Sequence, residues 1–530
     1  MNAIFMKNYF LALLSGVFLA ISWPTYGFPL FLFIAFVPLL IAENKIRSAN
    51  SSNRKVLGMS YLTFFVFNIS TTWWLYYATP FGMYFAVLAN SFLMALVFLA
   101  YHMLAKRIPS KLSLVLLVCL WIGFEKFHLN WELSWPWLNL GNGFSEYYTW
   151  VQWYEYTGTF GGTLWVWVVN IVFYNAYVDY TRHNNKGHLL KRGVLGTGII
   201  VIGIFSSLYI YHTTEVSKET TSVVVLQPNI DPYTEKYKLS NATMATSLIA
   251  LAEPQMDSSV TFVIAPETTL PKPVLLDRFS KSDAFRDLDG FTKTYPNSSF
   301  LSGITFVNAY SANQKPNKTA NFYRSGNGWY NSFNSSFFLQ GDTTFDFYHK
   351  SKLVVGVEHI PYRSVLNPIL KNSMIDLGGS VSTLSVQKER KVFRNGKHAV
   401  APIICYESVY GSYVADYVNK GANFLAIITN DGWWNTSQGH KQHLSLARLR
   451  AIENRRSIAR SANTGISAFI NQKGDIEQSL AYGEKGSLKG EVVTSTKRTF
   501  YTTHGDYIYR VSMLTLVILL LTSLTRRRTA

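Results

Sequence analysis

The sequence predicts two kinds of structure in one chain. One is a polytopic α-helical membrane domain of eight spans. The other is an α/β sandwich domain set between the seventh and eighth spans. Three observations carry this reading. The chain is 48% hydrophobic and only 15% charged, well below the roughly 25% charged of soluble domains. Its apolar residues crowd into the first 212 positions and about the last twenty. The residues between them read as a soluble protein, in which short runs rich in Val, Ile and Phe alternate with longer polar or helical segments.

Seven apolar runs precede the soluble block, at about 8–23, 28–43, 56–77, 84–105, 112–128, 160–180 and 193–212, and an eighth covers about 507–525. Most reach the roughly 20 residues that cross a hydrocarbon core. Lys7 ahead of the first run resembles a signal peptide, but "ISWPTYGF" has no small-x-small cleavage site and six more spans follow. The predicted boundaries are a membrane domain over 1–212, a soluble domain over 220–500, a last span over 507–525 and a basic tail over 526–530.

Loop charge gives the orientation. Lys45, Arg47, Arg54 and Lys55 fill one loop, Lys106, Arg107 and Lys111 the next but one, and Arg182, Lys186, Lys191 and Arg192 another. Arg526, Arg527 and Arg528 follow the last span. The intervening loops "WPTYGF", "ATPFG" and Leu129–Thr159 hold no Lys or Arg. Both termini are therefore expected in the cytoplasm. The soluble block is then expected on the far side of the membrane, which for a bacterial inner membrane in a Gram-negative cell is the periplasm. The net charge of +18 belongs to this alternation. No single basic stripe forms, so no nucleic-acid partner is expected.

Within the block, 221–230, 260–267, 299–307, 398–407, 423–431 and 465–472 read as strands. Gly439 to Ala462 reads as one amphipathic helix. Polar residues follow three of the strands: Glu267, Cys405, and the pair Asn430 and Asp431. Ligands in α/β sheets bind beyond the carboxyl ends of strands. Cys405 is one of only two cysteines, and Cys119 lies in an apolar run, so the block cannot form an internal disulfide. A buried thiol usually packs as a small hydrophobe. The convergence of strand ends, with Glu407 two residues on, favours a nucleophile instead. A thiol nucleophile needs a base or a cation. No histidine stands out beside a strand end, which leaves Glu267 as base and Lys350 or Lys352 as cation. His440 and His443, three apart, have the spacing of metal ligands but no apparent third ligand, so no metal or cofactor is expected.

Together these residues resemble the nitrilase superfamily, whose members use a Glu–Lys–Cys triad. "APET", "YHKSKLV" with Glu358 eight residues after Lys350, and "ICYES" match its three motifs in order. With the membrane half, the chain resembles the apolipoprotein N-acyltransferase family over nearly its whole length. "SWPWLNLGNGF", "LQPNID", "FNSSFFL" and "NDGWW" match further segments. Two departures stand out: "VVGVE" replaces Val-Pro-Phe-Gly-Glu, and Lys126 rather than arginine follows Glu125. The resemblance implies a nitrilase-like αββα sandwich. It implies Glu267, Lys350 and Cys405 as the catalytic triad, with the Tyr406 N–H assisting the oxyanion. Glu358 and Glu407 would orient Lys350 and its surroundings, and Asn334 would brace the site. It further implies acyl transfer from a phospholipid, through a thioester, to the amine of a diacylglyceryl apolipoprotein, by an integral membrane monomer. Trp433, Trp434, Tyr237, Trp135 and Trp137 are the expected substrate contacts.

Two rivals remain at this point. A membrane-anchored amidase would use the same triad on a small amide, but one or two spans would suffice to anchor it. A transporter should carry ionisable groups within its spans, and of these Glu125 is the notable one.

Overall fold

The computed structural model of the chain describes residues 3–215, 217–311, 313–323, 328–362 and 383–526. The chain divides into two compact units, one of Met1–Tyr76, Pro80–Thr214 and His504–Ala530, the other of Tyr77–Thr79 and Glu215–Thr503.

The first unit is helical. Among the described residues, four helical segments are long and apolar enough to cross a membrane: Pro29–Ser48, Pro80–Ala105, Lys186–Thr213 and Tyr507–Leu524. The first of these is a 3₁₀ turn over Pro29–Phe33 followed by a helix over Val37–Ser48. Helices Asn53–Thr72, Ser110–His128 and Thr159–His183 are of similar length. They carry more polar residues because they use them inside the unit. Asn90 Nδ2 donates to Asn68 Oδ1 at 2.7 Å, and Asn170 Nδ2 donates to the Leu32 carbonyl at 2.8 Å. Glu125 receives the Leu140 N–H (2.8 Å), the Trp121 indole (3.1 Å) and the Thr163 hydroxyl (2.7 Å). One buried carboxylate thereby fastens the segment around residue 140 to two helices. The expectation that Glu125 alone would stand out is corrected. Glu43 and His102 are also fully buried and lie 2.7 Å apart, with Arg47 3.3 Å from Glu43.

The second unit contains two sheets. Its strands are β1 Thr220–Gln227, β2 Val260–Ile264, β3 Leu270–Leu275, β4 Ser299–Ala309, β5 Asn321–Tyr323, β6 Gly328–Leu339 and β7 Phe345–His349, then β8 Phe393–Asn395, β9 His398–Ile404, β10 Phe424–Thr429, β11 Ile458–Ala462, β12 Ser467–Ile470, β13 Ile476–Leu480 and β14 Gly486–Val493. One sheet runs β14-β1-β2-β4-β6-β5, with β3 on β4 and β7 on β6. The other runs β13-β12-β11-β10-β9-β8. β1, β2 and β4 are parallel, as are β9, β10 and β11. These central strands are buried on both faces, which explains their unbroken apolar runs. The sheets meet where Phe262 packs edge-on to Phe424 at 5.1 Å and Ser461 Oγ donates to the Leu226 carbonyl at 2.7 Å. Helices Asn241–Ala252 and Asp283–Thr294 cover the first sheet through Met244, Leu248, Phe285 and Leu288. Gly411–Asn419 and Gln438–Asn454 belong to the second half. The architecture is an αββα sandwich.

The single helix expected to run to Ala462 is corrected. It ends at Asn454, Arg455 turns the chain at φ +46°, and Ile458–Ala462 is the central strand β11. Nor is the helix amphipathic, because two of its charged residues, Arg450 and Glu453, are buried too, while Lys441 is exposed. Arg450 and Glu453 pair at 2.8 Å with almost no exposure. Buried arginines at 450 and 460, each paired with a carboxylate, and at 456, donating to backbone carbonyls, give this stretch the composition of a solvated helix.

Gly303 on β4 lies beneath the turn that carries Glu267. A Cβ there would sit 2.2 Å from the Thr268 nitrogen and 2.7 Å from the Glu267 Cα. Gly303→Ala must therefore displace backbone. We expect it to lower the unfolding temperature and to reduce turnover about 100-fold, measured by thermal unfolding in detergent and by product formation. A wild-type rate would show that the turn tolerates displacement.

Candidate active site

Three strand ends supply the polar residues. Glu267 follows β2 and is held by a turn in which Thr268 adopts φ +44°. Lys350 follows β7, its backbone N–H donating to the Asn334 carbonyl at 2.8 Å. Cys405 follows β9 and itself adopts φ +49°, a left-handed conformation that is unusual and strained for a residue other than glycine.

The Lys350 ammonium is 1% exposed and lies 2.9 Å from Glu267 Oε1 and 3.0 Å from Glu358. Asn334 Nδ2 donates to both carboxylates at 2.7 Å. Glu358 is fixed from its other side by the Val354 N–H at 2.8 Å. Burial alone would raise the Glu267 carboxyl, but Lys350 and Asn334 outweigh it and hold it below its ordinary value. Burial alone would lower Lys350, but Glu267 and Glu358 push it well above its ordinary value. Burial raises the Cys405 thiol well above its ordinary value, Glu267 adds to this, and Lys350 opposes it. The site at rest thus holds an ionised carboxylate, an ammonium and a neutral thiol, an arrangement suited to proton transfer during attack.

Glu407 does not touch the ammonium. It accepts the Ser351 N–H at 2.7 Å, the Ile404 N–H at 2.9 Å and the hydroxyls of Tyr348 and Tyr413, each at 2.7 Å. It therefore joins the residue after Lys350 to the residue before Cys405. The Tyr406 ring packs edge-on to Tyr410 at 5.3 Å. A second lysine, not foreseen, enters the same region. Lys236 is buried, donates to Thr268 Oγ1 at 2.5 Å and is lowered to about 8 by burial, which Glu267 opposes.

The reading that no histidine stands beside a strand end is corrected. His443 Nδ1 lies 3.0 Å from Asp431 Oδ1, and its Nε2 lies 2.9 Å from Ser408 Oγ and 3.2 Å from the Cys405 carbonyl. Ligand atoms of Cys405, Asp431 and His443 come within 4.8 Å of one another. Arg460 already supplies positive charge there, 2.5 Å from Asp431 Oδ2 and 3.2 Å from His443 Nδ1. A metal ion would have to displace a guanidinium paired with a carboxylate. His440 packs instead against Tyr482 at 4.4 Å. Nothing local in the sequence marks this group, because Asp431, His443 and Arg460 lie on three different elements.

Trp434 is half-buried and packs edge-on to His443 at 5.5 Å, while Trp433 packs edge-on to Tyr233 at 5.1 Å. Trp135 and Trp137 belong to the first unit, where they stack at 5.6 Å. Trp137 is 1% exposed, packed against Trp74. The Tyr237 side chain lies outside the described residues.

Comparison with known proteins follows the same division. Residues 15–172 match the apolipoprotein N-acyltransferase N-terminal domain, and residues 291–500 match carbon-nitrogen hydrolase. The apolipoprotein N-acyltransferase of Chlorobaculum tepidum is 27% identical over 550 residues, covering 100% of this chain and 98% of its own. That of Haemophilus influenzae is 24% identical, covering 99% and 97%. Among solved structures, an amidase of the nitrilase superfamily from Nesterenkonia AN1 is 13% identical over 56% of this chain and 99% of its own, with a TM-score of 0.36. Over its whole length the chain is similar to apolipoprotein N-acyltransferases, and it joins a segment matching their N-terminal domain to one matching carbon-nitrogen hydrolase.

Proposed function

We propose that the chain transfers an acyl group from a phospholipid to the N-terminal amine of S-diacylglyceryl apolipoproteins, by way of a thioester on Cys405. The observation that carries this is the buried Glu267–Lys350–Glu358 group beside a strained cysteine, in a chain whose relatives share the membrane half as well. A hydrolase of small amides has no use for that half.

In the first half-reaction Cys405 Sγ attacks the ester carbonyl as Glu267 accepts the thiol proton. Negative charge collects on the carbonyl oxygen and is met by Lys350, assisted by the Tyr406 N–H. The lysophospholipid alkoxide leaves with the proton from Glu267. In the second half-reaction the acceptor amine attacks the thioester, Glu267 takes the amine proton, and the amide forms as the thiol is restored. Glu358 keeps Lys350 charged and aimed. Trp433, Trp434, Tyr237 and Trp135 are proposed as substrate contacts; Trp137, 1% exposed and packed against Trp74, is not. Eight spans with both termini in the cytoplasm would set residues 220–500 in the periplasm. That placement suits substrates whose acyl chains cost about 0.8 kcal/mol per CH₂ to expose to water.

Cys405→Ser conserves volume but weakens the nucleophile. By intact-mass measurement after exposure to phospholipid vesicles, wild type and Cys119→Ser should gain one hydroxylamine-labile acyl group, and Cys405→Ser none. An equal gain on Cys405→Ser would defeat the thioester route.

Glu358→Gln removes one of the two carboxylates around Lys350. Acyl-enzyme formation should fall by roughly tenfold or more while the unfolding temperature stays within a few degrees. An unchanged acylation rate would remove Glu358 from the machinery.

A reporter active only in the periplasm should be active when fused after Thr221 and silent after Arg192. The reverse pattern would overturn the orientation.

A further inference from the structure

Cys405 sits in a backbone conformation that a side chain disfavours, φ +49°, so the surrounding structure must hold it there. Its carbonyl oxygen is gripped from two sides. Ser408 Oγ donates to it at 2.7 Å, and His443 Nε2 lies 3.2 Å away. The serine hydroxyl has one proton, and that proton is spent on the Cys405 carbonyl. The 2.9 Å contact between Ser408 Oγ and His443 Nε2 therefore needs its proton on the imidazole, which also directs that N–H toward the carbonyl. The far side of the ring is anchored. Nδ1 faces Asp431 at 3.0 Å and Arg460 at 3.2 Å, and Thr429 Oγ1 donates to Asp431 at 2.8 Å. All of these side chains are buried. The chain of contacts crosses three neighbouring strands, from Arg460 on β11, past Asp431 after β10, to Cys405 after β9.

We propose that His443 is a positioning residue for the nucleophile, transmitting the fixed Asp431–Arg460 pair to the Cys405 carbonyl and so setting the direction in which Sγ is presented. The proposal rests on the reading of Cys405 as the nucleophile, and it gives the "GHKQH" segment a purpose other than metal binding. His443 moves no proton to the reacting atoms in this account. Its effect is geometric, and a misplacement of about 1 Å can cost about 100-fold in rate.

Three variants of the full-length protein in detergent test it. His443→Gln can place an N–H where Nε2 stands, His443→Asn can place one only where Nδ1 stands, and His443→Leu has neither. Two rates are followed on each: alkylation of Cys405 by iodoacetamide, and acyl-adduct formation from phosphatidylethanolamine vesicles by intact mass. Thermal unfolding is recorded alongside. Leu and Asn should slow both rates by roughly 10- to 100-fold with little change in the vesicle concentration giving half-maximal rate. Gln should recover most of the loss. Should Leu fail to fold, the comparison of Gln with Asn decides alone. Equal rates for Gln and Asn, or wild-type rates for Leu, would overturn the positioning role. A wild type that alkylates but takes no acyl group would instead overturn the thioester reading on which it rests.

Discussion

The catalytic unit is organised around one buried ammonium. Lys350 has almost no exposure, so its charge must be paired within the protein. The two carboxylates that pair it, Glu267 and Glu358, come from separate segments, and Asn334 donates to both. Leaving such a buried charge with no partner at all commonly costs about 3–5 kcal/mol. The requirement therefore fixes the ends of β2 and β7 against the middle of β6. It also sets the protonation of the site. An ammonium beside Glu267 keeps that carboxylate ionised in spite of burial, and burial, reinforced by the ionised carboxylate, keeps the nearby thiol neutral. In the proposed mechanism Cys405 becomes a nucleophile only when its proton can move to Glu267.

A second buried polar group does for the other sheet what Lys350 does for the first. Asp431, held between Arg460 and His443, ties the end of β10 to the middle of β11 and to the helix Gln438–Asn454. Glu407 links the two halves through backbone N–H groups on either side, at Ser351 and Ile404. The proposed triad is thus not three side chains on flexible loops. Each lies just beyond a strand end, and the Glu407 carboxylate secures the backbone beside Lys350 and Cys405.

What could be read in the sequence follows from this construction. Glu267 and Cys405 were legible because an apolar strand followed at once by a polar residue is a local pattern, and Lys350 because its motif spacing is local too. His443 and Arg460 were not, since they reach Asp431 only after the chain has folded back on itself. The same buried charges misled the reading of 439–462. Arg450, Glu453, Arg456 and Arg460 look like one face of a solvated helix, yet all are buried and the last lies on a strand. In the membrane half, Glu43 and His102 went unremarked because they lie in different runs and meet only in space.

The antiparallel pairing of β1 with β14, from Thr220 opposite Val493 to Gln227 opposite Gly486, has a bearing on biogenesis. These are the first and last strands of the catalytic unit. A ribosome delivers residues at about 5–20 per second, so the outer edge of β1 stays open while almost the entire unit is made. An open edge is a template for wrong partners. β1 is buried along nearly its full length, whereas β14 is half-exposed, so β14 serves as the strand that shuts the edge. The nascent chain reaches that strand only shortly before its last apolar helix, Tyr507–Arg526. A truncation ahead of β14 would thus leave a fully stocked active site on a sheet that never closes, and such a product is a substrate for proteolysis or aggregation rather than a slower enzyme.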